Sequence, residues 1–214
     1  MPEPTPKAAQ TRKSRKSFWL RQIYNLHWMS SALSLVGLLL FAITGFTLNH
    51  AADIEGEPVV AEGSGQLPGK LLPLVAPDDA PDAKKPLPPQ VADWVSKTFK
   101  VKAHGEAEWS ADEVYLALPR PGGDGWVSID RASGEATSEN TDRGWISYLN
   151  DLHKGRNAGF EWSLFIDVFV LACVIFSLTG LVLLELHAKK RRSTWPLVGL
   201  GLAIPAAIAI VFIH

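Results

Sequence analysis

Between Asn25 and His50 the chain reads NLHWMSSALSLVGLLLFAITGFTLNH, without one Asp, Glu, Lys or Arg. A run of that length and composition is expected to cross a bilayer as a helix. It carries a histidine near each end, His27 and His50. At about 1.5 Å rise per residue the two are separated by roughly 34 Å, slightly more than the ~30 Å hydrocarbon thickness of a membrane. One imidazole therefore falls near each membrane face. Ionisable side chains at that depth are rare and usually functional.

Chain-wide averages conceal this segregation: the net charge is −1 and the mean hydropathy +0.07. Two further apolar blocks follow. WSLFIDVFVLACVIFSLTGLVLLELH carries Asp167 and Glu185 only near its ends, and WPLVGLGLAIPAAIAIVFIH contains Pro196 and Pro205, which membrane helices tolerate. Spans are expected at 23–50, 160–187 and 195–213. The first is too long for the apolar core of a signal peptide and no A-x-A-like cleavage site follows, so it reads as an uncleaved anchor. Lys7, Arg12, Lys13, Arg15, Lys16 and Arg21 lie in a basic tail (1–22), and KKRR (189–192) joins the second span to the third. The positive-inside rule makes both segments cytoplasmic and residues 51–161 extracytoplasmic, with the C-terminus outside. That outer stretch is acidic, with 19 Asp and Glu against 11 Lys and Arg. Trp28, Trp162 and Trp195 fall where an aromatic belt places them. The single Cys173 lies inside the second span, so the outer domain has no internal disulfide.

Residues 51–89, rich in Pro, Gly and acidic side chains, read as an extended or loosely ordered lead-in. In 90–142, QVADWVSKTFK has helical periodicity. It is followed by period-two runs around Trp109, at 113–119 and at 125–130, with turns at RPGGDG and ASGE before a last short strand. This predicts a small α+β module. RGWISYLNDLHKG (143–155) places Trp145, Tyr148, Leu149 and Leu152 at i, i+3, i+4 and i+7 before Gly155, the pattern of an interfacial amphipathic helix. The fold class is thus an integral membrane α-helical protein of three spans with a small extracytoplasmic α+β module.

Antiparallel first and second spans bring His27 level with His187 on the inside and His50 level with His153 on the outside. Imidazole is a good axial ligand for haem iron, and histidines on facing helices are how bundles build cofactor sites. A bis-histidine iron has no open position, which suits electron transfer. Two haems are expected, ligated by His27 with His187 and by His50 with His153. Each of the two spans also carries a Thr-Gly pair, at 44–45 and 179–180. Gly180 shares a helix face with His187, and Gly45 and Ser34 share one with His27, giving a porphyrin room. Small-residue helix packing explains the glycines equally well. Interfacial snorkelling accounts for any single histidine, less readily for four at matching levels. His104 reads as a solvated surface residue, and His214 is given no role. Asp167 fits a proton relay or second-shell partner and, equally, a snorkelling acid.

The chain resembles the PepSY-associated transmembrane family. The resemblance lies in NLHWMSSALSLVGLLLFAITGF, VSIDRASGEA and YLNDLHKGRNAGFEWSLFIDVFVLACVIFSLTGLVLL. Its carriers are Leu26-His27, Thr44-Gly45, Asp130 with Gly134-Glu135, Leu152-His153-Lys154-Gly155, and Thr179-Gly180. Three spans and a compact outer domain make this chain smaller than the large members. The resemblance implies a PepSY-like outer module, a bacterial inner-membrane location with residues 51–161 in the periplasm, and haem b held by His27, His50, His153 and His187. It is similar to haem-containing reductases that release iron from ferric siderophores in the periplasm. Electrons would then come from a quinol or a cytoplasmic reductant, and a ferric-siderophore would be the acceptor.

The alternative is a membrane-anchored PepSY binding or regulatory protein without redox activity. A homodimer or a partner membrane subunit is compatible with either, since three helices are few to enclose two porphyrins. The sequence has no GxGxxG, CxxC or CxxCH, which leaves no nucleotide site or covalent c-type haem to expect, and nothing points to nucleic acid.

Overall fold

The computed structural model describes residues 6–54, 56–77, 83–188 and 191–213. Residues 1–5 of the basic tail, Lys189 and Lys190 of the KKRR run, and His214 lie outside the described residues. The chain divides into two compact units, residues 1–39 with 165–214, and residues 40–164.

Among the described residues three helices are long and apolar enough to cross a membrane: α1 (Pro6–Asn49), α5 (Phe160–Ala188) and α6 (Thr194–Phe212). α1 runs continuously from Pro6 through the residues of the basic tail into the first span. In the first unit α1 meets α5 through small groups. Gly37 lies against the Phe169 ring, Ser30 and Ser34 are buried, and Ala172 is buried opposite. Each serine hydroxyl donates to a carbonyl one turn back, Ser30 to Leu26 and Ser34 to Ser30, so no polar atom is left facing hydrocarbon. α6 contributes no buried residue.

The second unit holds a short helix α2 (Ala51–Ile54) and the strands β1 (Val59–Gln66), β2 (Ala83–Pro86), β3 (Glu106–Trp109), β4 (Glu113–Ala117), β5 (Gly123–Asp130) and β6 (Glu135–Asp142). Helix α3 (Pro89–Phe99) lies between β2 and β3 in sequence, and α4 (Gly144–Lys154) follows β6. The six strands form one antiparallel sheet in the order β1-β6-β5-β4-β3-β2. Strand alternation turns Val114, Leu116, Val127 and Ile129 onto one face, where Val91 and Val95 of α3 bury against them with Leu67, Val75, Trp109 and Ala136. The opposite face stays polar, with Tyr115 and Trp126 stacked on it at 6.1 Å.

The stretch expected to be loosely ordered supplies both edge strands. β1 reads VVAEGSGQ, whose glycines suggest a loop, yet it pairs with β6 along its whole length. The glycines are there for packing: a β-carbon on Gly63 would fall 2.7 Å from Ser138 Oγ and 3.1 Å from the Phe99 ring. Arg131 holds the segment that follows β1. It is buried, and its guanidinium donates to the carbonyls of Val75 (2.9 Å), Ala76 (2.7 Å) and Ser110, over the face of Trp109. Charge-assisted bonds of this kind are the stronger class. At the β5–β6 turn Asp130 accepts from the Ser133 amide and hydroxyl and from the Ala132 amide. The Ser133 bonds hold its carboxyl below the ordinary value. Gly134 closes that turn at φ +73°, a conformation that glycine adopts without penalty.

Candidate functional site

Helix α4 forms where expected, and Gly155 ends it at φ +67°. Its orientation is the informative part. The buried residues are the polar Ser147, Asn150 and Asp151, while Trp145 is 71 % exposed and Tyr148 44 %. Asp151 accepts from the Gly122 amide at 2.9 Å, Asn150 Oδ1 lies 2.9 Å from Thr47 Oγ1, and the Trp162 indole donates to the Leu152 carbonyl. These polar anchors hold α4 against the C-terminal end of α1 and set His153 beside Phe41, Thr44 and Gly45. His153 Nδ1 lies 2.7 Å from Thr44 Oγ1, and its ring centroid is 4.9 Å from that of Phe41. A β-carbon on Gly45 would touch His153 Cε1 at 3.4 Å.

The same arrangement recurs in the other unit between α1 and α5, with α1 now supplying the histidine. His27 Nδ1 lies 3.0 Å from Thr179 Oγ1, the ring stacks on Phe176 at 4.9 Å, and a β-carbon on Gly180 would touch Cε1 at 3.4 Å. Behind both is one repeated pattern, Phe-x-x-Thr-Gly, as FAITG at 41–45 and FSLTG at 176–180. On a helix, residues i, i+3 and i+4 share a face, so phenylalanine, threonine and glycine converge on one imidazole. Thr44, Thr179, Phe41 and Phe176 were not singled out as site residues from sequence. The repeat was the signal that could have found them, read with each pair serving a histidine of another helix rather than its own.

The remaining two histidines bond to their own helices. His50 Nδ1 lies 3.0 Å from the Phe46 carbonyl, and His187 Nδ1 2.8 Å from that of Leu183. Spacing then separates the two cases. His187 is seven residues beyond Gly180 and returns to the same face, whereas His50 is five beyond Gly45 and lies about 140° away from it around the helix. Accordingly, His27, Gly180 and His187 line one open cleft of about 780 Å³, with Phe176, Leu181, Leu184, Arg191 and Thr194. This volume lies within the range of small-molecule and cofactor clefts, about 300–1,000 Å³. His153 is seated against Thr44 and Gly45, while His50 stacks on Phe46 at 4.4 Å. Their contacts do not join them.

The donor chemistry of the cleft suits a haem. A carbonyl only accepts, so Nδ1 of His187 carries its proton and Nε2 is left as the lone-pair nitrogen. Nε2 of all four histidines has no hydrogen-bond partner among the described residues. The walls are mostly apolar, and Arg191 supplies a cation at the rim. Among the described residues no cluster of three or more His, Cys, Asp or Glu could hold a bare metal ion. His104 is exposed with its Nδ1 against the Lys102 carbonyl, and Asp167 is exposed.

Fold and site together define a membrane protein of three apolar helices and an antiparallel α+β module, with imidazoles gripped where helices meet. The family model PepSY_TM_like_2, described as PepSY_TM-like, matches residues 18–214, and the chain belongs to that family. No curated protein and no solved structure matches the chain.

Proposed function

We propose that the chain is an inner-membrane haem b protein that passes electrons across the bilayer to a periplasmic acceptor, in the manner of a ferric-siderophore reductase. One observation carries this reading: His27 and His187 line the same mostly apolar cleft, and the Nε2 of neither has a hydrogen-bond partner among the described residues. His27 and His187 would hold the inner haem, Gly180 leaves room beside His27, and Arg191 is placed to pair with an acidic edge of the bound group. A haem with two imidazole ligands supplies reversible one-electron chemistry at a closed iron. The residues' own work is to orient the ligands and to keep water from the ring. The second haem, with His50 and His153, has one seated imidazole in His153 and a second histidine turned off that face. A quinol or a cytoplasmic reductant would be the donor, and a homodimer or partner subunit would complete the walls.

The test is haem quantitation on protein purified from haem-replete cells, with His27→Ala, His187→Ala, His50→Ala and His153→Ala beside the wild type. A red wild type is expected, with His27→Ala and His187→Ala each losing the same haem. A colourless wild type overturns the reading in favour of a membrane-anchored binding protein. Full haem content in both inner variants overturns the ligand assignment.

A further inference from the structure

The two threonines do chemistry that the glycines beside them cannot. Thr179 Oγ1 lies 2.6 Å from the Ile175 carbonyl and 3.0 Å from that of Phe176. Thr44 Oγ1 lies 2.9 Å from the Leu40 carbonyl and 3.3 Å from that of Phe41. A hydroxyl has one proton, and threonine in a membrane helix gives it to a carbonyl one turn back. Its oxygen is then an acceptor towards the imidazole, and Nδ1 of His27 and His153 must be the protonated nitrogen. The opposite tautomer would leave an Nε2–H donor with no acceptor among the described residues, and would take the hydroxyl proton from its carbonyl. An unpaired donor in an apolar cleft is the more costly arrangement.

We propose that Thr44 and Thr179 are positioning residues that lock His153 and His27 in the Nδ1–H tautomer, so that the Nε2 lone pair of each faces outward as a ligand. The tautomer lock stands on the hydrogen-bond chain alone, while the identity of the liganded group as haem rests on the reading above. The chain Nδ1–H to Oγ1–H to backbone carbonyl occurs twice, once between α1 and α5 and once between α1 and α4, each time with a phenylalanine one turn from the threonine. A hydrogen bond from the far nitrogen also raises the basicity of a ligating imidazole, as partners of metal-bound histidines do. With a haem bound, Thr179 would therefore raise the basicity of the His27 imidazole as well as orient it.

The test uses the full chain in detergent with ¹⁵N-labelled histidine, both haem-free and as purified. Long-range ¹⁵N–¹H correlation reads the tautomer of each ring directly. In the wild type His27 and His153 are expected as Nδ1–H. Thr179→Val keeps the shape and removes the acceptor, and should move His27 towards Nε2–H while leaving His153 unchanged. Thr44→Val should do the reverse, and Thr→Ser at either position should restore the wild-type pattern. His50 and His187, bonded to carbonyls, serve as internal controls for folding. A wild-type Nε2–H ring at either site, or rings indifferent to Thr→Val, overturns the lock. In haem-loaded protein Thr179→Val should retain the haem and raise its midpoint potential, with Thr179→Ser returning it. Haem-loaded protein with an unmoved potential limits Thr179 to a structural contact. A wild type without haem overturns the functional reading and leaves the tautomer result to decide the lock by itself.

Discussion

One missing β-carbon decides how closely α1 approaches α5. A methyl group at Gly37 would fall 2.3 Å from Phe169 Cε2, well inside contact distance, and Phe169 is itself buried and stacked on Phe165 at 6.1 Å. Gly180 differs, because a β-carbon there would only touch His27 at 3.4 Å. Gly37→Ala is therefore expected to destabilise the helix pair by about 1–3 kcal/mol, the usual cost of overpacking. Gly180→Ala should be nearly silent. Thermal unfolding in detergent, followed by the near-ultraviolet signal, measures both, and Phe169→Leu should recover part of the Gly37→Ala loss. Equal effects at the two glycines would contradict this account. The difference was illegible in sequence, where each glycine simply reads as a small residue on a span. The histidines were legible, since an ionisable group in an apolar run stands out from its neighbours. Their threonine partners were not, because a Thr-Gly pair looks like ordinary helix packing until another helix puts an imidazole on it.

Among elements, α4 shows how pattern and burial can part company. Its helical period and its glycine stop were readable, and so was its apolar stripe, but the stripe is not what it packs with. Ser147, Asn150 and Asp151 face the protein through hydrogen bonds, and Trp145 and Tyr148 face outward. For a helix joined to α5 by a few residues, outward aromatic rings belong at the membrane–water boundary, where Trp and Tyr are enriched. The expected outcome is that Trp145, as the only tryptophan left in a Trp→Phe background, is quenched strongly by shallow lipid-borne spin labels and weakly by deep ones. Quenching by aqueous iodide alone would place α4 in water. The edge strand β1, by contrast, was not legible as a strand. Its Gly63 and Gly65 break the period-two signal, and only the Ser138 side chain of β6 and the α3 side chains beside them explain why glycine stands in a strand. Strand pairing of that kind depends on residues 69 to 83 positions away, which no local window contains.

At the scale of the whole molecule, what remains to be fixed is which side of the membrane each loop occupies. The lengths of the three apolar helices establish a membrane protein, while sidedness rests on charge. Lys and Arg bias near span ends sets orientation, whereas acidic residues contribute little. Basic residues flank the first span on its N-terminal side and crowd the short connection between α5 and α6, while the long connection from α1 to α5 is acidic. On the positive-inside rule the α+β module is expected outside the cytoplasm, where the acceptor proposed above would reach it. The chain has one cysteine, Cys173, so a Cys173→Ala background makes single-cysteine mapping clean. Ser133→Cys, on the exposed β5–β6 turn, is expected to react with a membrane-impermeant maleimide added to intact spheroplasts. Ser193→Cys, beside the basic run, should react only after the membrane is opened. The reverse pattern would put the module in the cytoplasm and overturn the proposed periplasmic acceptor, while leaving the imidazole cleft and the proposal of a haem there untouched. Sidedness and cofactor are thus separable, and a chain that binds haem with its module inside would have to be reread as a reductase for a cytoplasmic acceptor.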